Sequence, residues 1–342
     1  MKKAPLGASG PHISRIGLGG WAFGGSGWPH GLGPQDDANS IRTIHRALEL
    51  GITWIDTGAV YGYGHSEEVV GTALAGRRDG VFLATKCGRI VDENGRLTSR
   101  LRADSVRREV EASLRRLRTD RIDLLQVHWP LPDEEIEEGW TEIARAVQEG
   151  KVRWAGASNF SVAQLERVRA IHPVTSLQPA YNMLRRGVEA DLLPYCAARG
   201  IGVIVYSPMG TGLLAGGFTR ESVAALPDSD WRRQIPPFQE PELSANLAVA
   251  EGLRPVARRH GCTVGVVAIT WVLRRPEVTG AIVGAARPGE IEGTVGAAGL
   301  RLDEQDLEDI EVLLAERERV LGGRNREPIG PDARATASRP PR

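Results

Sequence analysis

A predicted apolar strand that ends in a carboxylate and is followed by a tyrosine is the stretch of this chain best suited to chemistry. The strand covers residues 52–55, Asp56 ends it, and Tyr61 follows after a turn that contains glycine. A phenol has an ordinary pKa of about 10 and is a poor proton donor near neutral pH. A nearby cation that lowers this pKa would make Tyr61 a proton donor, and Asp56 could hold such a cation in place.

Two further side chains follow the next predicted strands and complete the candidate site. Lys86 follows the third predicted strand, and His128 follows the fourth. We predict that Lys86 lowers the pKa of Tyr61 and that Asp56 pairs with Lys86, because an unpaired buried charge is costly. His128, in its neutral form, would hydrogen-bond a substrate oxygen. These groups match the polarisation of a carbonyl for attack by hydride, which requires a nicotinamide cofactor because no side chain supplies hydride.

The elements that must position these residues form a repeating pattern of short strands and longer helices. The predicted strands are residues 16–19, 52–55, 81–85, 122–127, 152–156, 174–177, 202–205 and 281–283. Helices are predicted between them, with apolar residues spaced three and four apart. This alternation predicts βαβ units and a parallel sheet. Eight such units favour a closed (β/α)8 TIM barrel, with an open doubly wound sheet as the alternative.

Some segments lie outside this repeat. They are an N-terminal hairpin within residues 6–20, a long insert after strand seven at residues 207–262 whose last part (241–260) is helical, and a charged C-terminal helix at residues 303–320. Loops as long as this insert are usually functional. We expect one domain over residues 1–320 and a disordered Arg/Pro-rich tail over residues 321–342, because the tail has almost no large apolar residues.

The remaining strands also end in polar side chains, and these offer a place for a cofactor. No Gly-x-Gly-x-x-Gly or P-loop motif follows any predicted strand. Catalytic residues of a barrel lie at the carboxyl ends of its strands, so all strand ends meet on one rim. Ser158, Asn159 and Gln178 have the donors and acceptors to bind a carboxamide, and Tyr206 offers a flat face for stacking.

Two glycine-containing segments on the same rim could hold the phosphates of the cofactor. Backbone amides of residues 207–212 can cradle a pyrophosphate. Gly284 leads into the last predicted helix, and the start of that helix together with Arg287 makes a phosphate site after strands seven and eight. Each of these residues alone has an ordinary structural explanation. Their common position on one rim is what indicates a site.

Composition excludes several other classes of function. Lys plus Arg and Asp plus Glu are both 43, so the net charge is zero, and we expect neither nucleic acid nor an anionic membrane as a partner. The 3 cysteines lack metal-ligand spacing and no His-x-x-x-His pair occurs, so we expect free thiols and no metal. The N-terminus has no apolar run typical of a signal peptide, and we expect a cytoplasmic protein.

With these residues identified, the chain resembles the aldo-keto reductase superfamily. The resemblance covers about residues 6–318. The segments that carry it are residues 56–62, 64–67, 81–86, 124–130 and 156–160. The most similar branch is that of bacterial reductases related to general stress proteins and to potassium-channel β subunits.

The resemblance implies a (β/α)8 barrel that reduces aldehydes or ketones with NADPH. It implies a catalytic tetrad of Asp56, Tyr61, Lys86 and His128. The residues expected to contact the cofactor are Trp21, Ser158, Asn159, Gln178, Tyr206, Ser207, Met209, Gly210, Gly212, Leu213, Gly284, Arg287 and Glu290.

The chain departs from the family pattern at a few positions. Gly58 replaces the usual alanine, and Gly217 stands where related reductases often have lysine. Glu290 stands where many have arginine or glutamine beside the 2′-phosphate, and Thr294 where asparagine is common. A carboxylate near a phosphate is unfavourable. We therefore expect NADPH, with NADH as an alternative.

The substrate is expected to be a small carbonyl compound. Aromatic residues in predicted rim loops could form an apolar wall for it, or could simply pack the loops. They are Trp21, Phe23, Trp28, Trp129 and Trp231, of which Trp21, Trp28 and Trp129 are the predicted substrate contacts. Two other functions stay open: an NAD-dependent sugar or polyol dehydrogenase, and a cofactor-binding regulatory subunit with weak turnover. The complete tetrad favours an enzyme.

Overall fold

A closed barrel of parallel strands lies at the centre of the protein. The structure is a computed structural model that describes residues 1–228 and 230–322. In chain order its strands are β1 (Lys3–Pro5), β2 (His12–Ser14), β3 (Ile16–Gly19), β4 (Trp54–Asp56), β5 (Phe82–Cys87), β6 (Arg89–Val91), β7 (Leu97–Ser99), β8 (Ile122–Val127), β9 (Val152–Ser158), β10 (Ser176–Gln178), β11 (Gly202–Val205) and β12 (Val278–Gly284). The barrel contains β3, β4, β5 and β8–β12, and β12 pairs with β3 to close it. The (β/α)8 prediction is confirmed, and the open sheet is not formed.

Helices cover the outside of the barrel. In chain order they are α1 (Asp37–Glu49), α2 (His65–Ala73), α3 (Ala103–Leu117), α4 (Ile136–Gln148), α5 (Val162–Arg169), α6 (Leu192–Arg199), α7 (Arg220–Ala224), α8 (Glu242–Gly252), α9 (Arg254–Arg259), α10 (Val264–Leu273), α11 (Pro288–Glu292) and α12 (Glu304–Val320). In α3 the residues Val106, Val110 and Leu117 are buried, because their spacing of three to four places them on one face. The helix predicted at residues 188–199 is α6, and it begins later than predicted, at Leu192. The Asp191 side chain caps it by accepting a hydrogen bond from the Leu192 amide.

The hairpin of β1 and β2 seals the amino end of the barrel interior. Its side chains Leu6 and Ile13 pack on Trp54, which is fully buried and donates its indole N–H to the Ser14 carbonyl oxygen at 2.8 Å. The sequence placed this hairpin within residues 6–20. Its first strand instead precedes that range, because the turn closes from the Leu6 amide to the Pro11 carbonyl oxygen.

A second hairpin, formed by β6 and β7, follows the strand that carries Lys86. The sequence analysis did not predict it. Its turn contains Asn94 and Gly95, with Gly95 in a left-handed conformation at φ 73°. Asn-Gly between short strands is a strong hairpin signal and could have identified this element.

The long insert has a small core of its own. Leu213, Val223, Phe238 and Leu243 are buried together within it. Its predicted helical part is confirmed as α8 and α9. The insert also helps to bury α10, which is buried along its whole length, because a short helical turn of the insert packs against it.

The C-terminal helix is also confirmed. In α12, buried Arg317 donates to the Asn246 side-chain oxygen of α8 at 2.7 Å. The predicted disordered tail lies, from residue 323 onward, outside the described residues. Within the part of the chain that the structure describes, no helix is both long and apolar enough to cross a membrane.

Packing at the amino end of the barrel predicts a sharp effect of one added methyl group. A Cβ atom built on Gly17 would lie 2.1 Å from Cε2 of Trp54, which is locked by its own hydrogen bond. Gly17→Ala should therefore lower the free energy of unfolding by about 1–3 kcal/mol through overpacking. The free energy of unfolding is measured by urea denaturation, and the m value should be the same in the variant and in wild type. Gly80→Ala is the control, because a Cβ there meets nothing within 4 Å; equal stability of both variants would contradict the prediction.

Candidate active site

Lys86 lies inside the carboxyl end of the barrel, and all its donor hydrogens have partners. Its Nζ is 2.5 Å from Asp56 Oδ1, 2.8 Å from the Thr57 carbonyl oxygen and 3.0 Å from the Tyr61 hydroxyl. The side chains of Lys86 and Asp56 are only 1% and 4% exposed. An ammonium group has three donors, so this cation is fully satisfied. The predicted ion pair and its contact with Tyr61 are present.

The second oxygen of Asp56 is held by two glutamines. Asp56 Oδ2 accepts from Gln126 Nε2 at 3.0 Å and from Gln178 Nε2 at 2.8 Å, and Gln178 Nε2 also donates to Gln126 Oε1 at 3.0 Å. Gln126 was missed by the sequence analysis. Its signal was a polar residue between the apolar residues Leu125 and Val127 in the strand that precedes His128. Gln178 was predicted as a cofactor contact, and the structure shows that it also fixes the carboxylate.

Tyr61 reaches Lys86 because of a tight turn. Gly62 has φ 61°, and a Cβ there would lie 2.2 Å from the Gly24 carbonyl oxygen, so glycine is required. The phenol is buried, and burial raises the pKa of Tyr61, whereas the charge of Lys86 acts to lower it. Burial outweighs Lys86, and the pKa of Tyr61 lies above its ordinary value. The lowering effect expected of Lys86 is present, but it is smaller than the effect of burial.

Burial also acts to lower the pKa of Lys86, but the charge of Asp56 and the hydrogen bonds with Asp56 and Tyr61 outweigh it, so this pKa is raised. The ring of His128 packs edge-on against Tyr61, with centroids 5.7 Å apart. Burial of this ring, together with the charges of Lys86 and Arg89, lowers the pKa of His128 well below its ordinary value. His128 is therefore neutral at neutral pH, as the sequence predicted.

The polar side chains of the neighbouring strand ends form a connected network on the same rim. Ser158 Oγ donates to the Gln178 carbonyl oxygen at 2.9 Å, and Asn159 Nδ2 donates to the His128 carbonyl oxygen at 3.0 Å. The Tyr206 hydroxyl donates to Asn159 Oδ1 at 3.0 Å. Asn159 has φ 63°, an uncommon conformation that this network maintains. The structure thus brings together the residues predicted to bind a carboxamide.

The turn that begins the insert is conformationally unusual. Ser207 and Thr211 have φ of 52° and 59°, in the left-handed region that favours glycine, and such strained positions cluster at functional sites. The amides of Gly210 and Gly212 already donate within the turn, to the Ser207 and Met209 carbonyl oxygens. These two amides are therefore less available to a phosphate than the sequence analysis assumed. The Leu213 side chain is buried in the core of the insert.

The last strand end presents open backbone and an engaged arginine. A Cβ built on Gly284 meets nothing within 4 Å. Arg287 Nε and Nη2 donate to Glu290 Oε1 at 3.1 and 3.0 Å, and the Ala286 amide donates to Glu290 Oε2 at 2.7 Å. The Arg287 side chain is 73% exposed. The predicted phosphate-binding cation is thus present, but a carboxylate already pairs with it.

Aromatic rings cover the candidate site. Trp21 stacks on Tyr61 with centroids 5.9 Å apart, and Trp28 is tilted against both rings. Trp231, from the insert, also stacks on Trp21, with centroids 5.5 Å apart. Within the described ranges, Trp129 makes no ring contact with this cluster. The same part of the chain contains no group of three or more side chains that could hold a metal ion.

A barrel whose rim carries Tyr61, Lys86 and Asp56 in mutual contact defines a class of enzyme, and comparison with known proteins identifies that class. The model of the Aldo/keto reductase family matches residues 15–315, and the chain belongs to this family. It is therefore an oxidoreductase, and the resemblance seen in the sequence is confirmed. Aldo-keto reductases use nicotinamide cofactors.

Individual relatives cover nearly the whole chain. It is 38% identical over 342 residues to the aldo-keto reductase YhdN of Bacillus subtilis (strain 168), covering 99% of each chain. It is 34% identical over 325 residues to the NADH-specific methylglyoxal reductase of Escherichia coli (strain K12), covering 90% of this chain and 96% of the relative. Among solved structures, the glycerol dehydrogenase AKR11B4 from Gluconobacter oxydans matches with a TM-score of 0.83 and 37% identity, covering 96% of this chain and 97% of the other.

The buried state of His128 gives a direct test by NMR titration. The ordinary pKa of histidine is about 6.5. Because the pKa of His128 lies well below this value, its ring should stay neutral well below pH 6.5. Because the folded pKa is the lower one, the unfolded chain binds this proton more readily, and stability should fall as the pH drops below about 6.5. The His128 signal can be assigned from its loss in His128→Gln. A midpoint at or above 6.5 would show that the ring is not in this environment.

Proposed function

We propose that this enzyme reduces an aldehyde or ketone to the alcohol, with NADPH or NADH as cofactor and Tyr61 as the general acid. The observation that carries the proposal is the contact between Lys86 Nζ and the Tyr61 hydroxyl at 3.0 Å, with Lys86 itself fixed by Asp56. A buried cation beside a buried phenol serves no obvious need of the fold. It is suited to stabilising the phenolate that remains after proton donation.

The side chains would act in the following way. The carbonyl oxygen of the substrate lies between the Tyr61 hydroxyl and the neutral His128 ring and accepts hydrogen bonds from both. When bound, a reduced nicotinamide supplies the hydride that no side chain can provide. As charge develops on the oxygen, Tyr61 gives it the phenolic proton, and the ammonium of Lys86 stabilises the phenolate. The raised pKa of Tyr61 keeps the phenol protonated at neutral pH until that moment.

The rim residues fit a nicotinamide cofactor. The two hydrogen bonds of Gln178 within the site use its amide nitrogen, which leaves its oxygen as an acceptor for the amide of the cofactor. Ser158 and Asn159 supply further polar atoms, and Tyr206 a face for stacking. The other proposed contacts come from the first aromatic loop, the turn at the start of the insert and the last strand end. They are Trp21, Ser207, Met209, Gly210, Gly212, Leu213, Gly284, Arg287 and Glu290.

We propose NADPH as the main cofactor and NADH as an alternative. Arg287 is the cation for the 2′-phosphate. To bind the phosphate it must leave its exposed ion pair with Glu290, and such surface pairs contribute little free energy. The presence of Glu290 lowers the advantage that this arginine gives to NADPH. A relative from Escherichia coli is named as NADH-specific, which supports keeping NADH as a cofactor of this chain.

A second function uses the same site in reverse. A solved structure with 37% identity is that of a glycerol dehydrogenase, which supports oxidation of a polyol as the alternative. Both reactions take a small molecule, with Trp21, Trp28 and Trp129 proposed as its wall. The complete hydrogen-bond network around Lys86 favours turnover over a purely regulatory role. We also propose a cytoplasmic location, with neither nucleic acid nor membrane as a partner.

The role of Tyr61 is tested by removing one oxygen atom. Tyr61→Phe should lower the turnover of 4-nitrobenzaldehyde by about 10²–10⁴-fold, the usual contribution of a general acid. Cofactor affinity, measured by fluorescence titration, should change little. Tyr63→Phe is the matched control, because this neighbouring tyrosine is 44% exposed and has no contact with Lys86. Activity retained by Tyr61→Phe would overturn the assignment.

Cofactor preference is tested at the pair of Arg287 and Glu290. Arg287→Ala should weaken NADPH several-fold more than NADH, because only NADPH carries the 2′-phosphate. Glu290→Gln should strengthen NADPH relative to NADH, because it removes a negative charge and frees the guanidinium. Glu292→Gln is the control of equal charge change, since that carboxylate pairs with Arg46 at 2.5 Å. If the affinities for NADPH and NADH change by the same factor in every variant, then Arg287 and Glu290 do not contact the 2′-phosphate.

A further inference from the structure

Gln126 places a fully buried amide inside the barrel. It lies in β8 between the apolar residues Leu125 and Val127. The space it occupies is closely fitted, because a Cβ built on Gly156 of the neighbouring strand β9 would lie 2.9 Å from Cγ of Gln126. Burying an amide costs free energy unless its polar atoms find partners. The partners of this amide therefore indicate why a polar side chain is present here.

Both hydrogen bonds of the Gln126 side chain are with residues of the candidate site. Nε2 donates to Asp56 Oδ2 at 3.0 Å, and Oε1 accepts from Gln178 Nε2 at 3.0 Å. Neither bond is with the backbone, so neither one satisfies a group that the barrel itself leaves unpaired. An apolar side chain of similar size would fill the same space without the cost of burying an amide. The polarity of Gln126 thus serves the site and not the fold.

The bond from Gln178 to Gln126 fixes the plane of the Gln178 amide. Its Nε2 gives one hydrogen to Asp56 Oδ2 at 2.8 Å and the other to Gln126 Oε1 at 3.0 Å. One acceptor would let the amide turn about a single bond, whereas two acceptors fix the direction of its oxygen. Among residues 1–228 and 230–322 no group donates to Gln178 Oε1, and this oxygen is not one of the buried polar atoms that lack a partner. Solvent therefore reaches it.

We propose that Gln126 is a positioning residue that directs the side-chain oxygen of Gln178 toward the carboxamide of the nicotinamide. The inference rests on the proposed function. An ionised carboxylate only accepts hydrogen bonds, so Asp56 requires both amide nitrogens to face it, and the directions of the two amide oxygens follow. The other oxygen of the same carboxylate lies 2.5 Å from Lys86 Nζ. Gln126 thus joins the contact with the cofactor to the ion pair that holds Lys86 beside Tyr61.

A first substitution removes both hydrogen bonds of Gln126. Gln126→Leu keeps most of the side-chain volume but has neither donor nor acceptor. The dissociation constant of the cofactor that wild type binds more tightly, NADPH or NADH, is measured by fluorescence titration. It should rise about tenfold, as expected when buried hydrogen bonds are lost. The kcat for 4-nitrobenzaldehyde should also fall, because Asp56 loses a donor.

A second substitution gives a readout that a purely structural role would not change. In Gln126→Glu the introduced carboxyl lies against Asp56, and two buried carboxylates in contact share one proton. Lys86 faces this pair from β5, whereas β9 and β10 contribute Gly156 and Gln178, which carry no charge. While the shared proton is bound, the introduced carboxyl donates to Asp56 and accepts from Gln178, as the amide does. Cofactor affinity relative to wild type should be nearly normal at pH 6 and about tenfold lower at pH 9, where the two carboxylates repel each other.

Gln305→Glu is the matched control. Gln305 Nε2 also donates to a carboxylate, that of Asp309 at 3.0 Å, but this pair lies on the exposed surface of α12. Its affinity relative to wild type should be the same at both pH values. Wild-type affinity in Gln126→Leu would overturn the inference. A ratio of Gln126→Glu to wild type that does not change with pH would overturn it as well.

The binding measurements separate this inference from the proposed reduction. If wild type binds a cofactor but reduces no carbonyl compound, the proposed function fails, and the binding ratios still decide on Gln126. If wild type binds neither cofactor, the inference and the proposed function fail together. If Gln126→Leu does not fold, the pH dependence of Gln126→Glu decides.

Discussion

The buried positive charge of Lys86 is the constraint on which the rest of the site depends. Removing an ammonium group from water is costly, and partners must recover that cost at close range. Its acceptors come from the end of β4 and the following turn, and the carboxylate of Asp56 needs donors from β8 and β10 in its turn. These strands meet only if the barrel closes in one register, in which Asp56 pairs with Ala84, and Lys86 with Gln126. A slip of one residue would turn Lys86 out of the barrel.

The strand that carries Lys86 is also held from the side of the helices. Because successive residues of a strand face opposite sides, Thr85 points outward, where its hydroxyl donates to buried Glu67 at 2.5 Å. Glu67 in turn pairs with Arg116 at 2.7 Å. The Gly88 amide, just beyond the strand, donates to Glu109 at 2.9 Å, and burial raises the pKa of Glu109 to about 8. Polar contacts thus fix both faces of this strand end, which leaves Lys86 little freedom to move from Tyr61.

Much of this arrangement could be predicted from the sequence, because the positions of the tetrad follow from local patterns. The strands at residues 16–19, 122–127 and 202–205 have the predicted bounds. A side chain at the carboxyl end of a barrel strand lies on the rim, and this does not depend on how the surrounding helices pack. Gln126 was not predicted, because its partner is 70 residues away and only tertiary structure brings them together. For the same reason the net pKa of Tyr61 was not predicted, since burial is a property of the whole fold.

The insert contacts the candidate site without contributing to the hydrogen bonds described above for Lys86 and Asp56. The groups proposed to move a proton are fixed near strand ends, where a small displacement would unpair a buried charge. Trp231 comes from a segment that has a small core of its own and also contributes residues of α8 and α9 to the main core of the protein. A change at Gln126 would remove a partner of the carboxylate that pairs with Lys86, whereas Trp231 is linked to Tyr61 through its contact with Trp21.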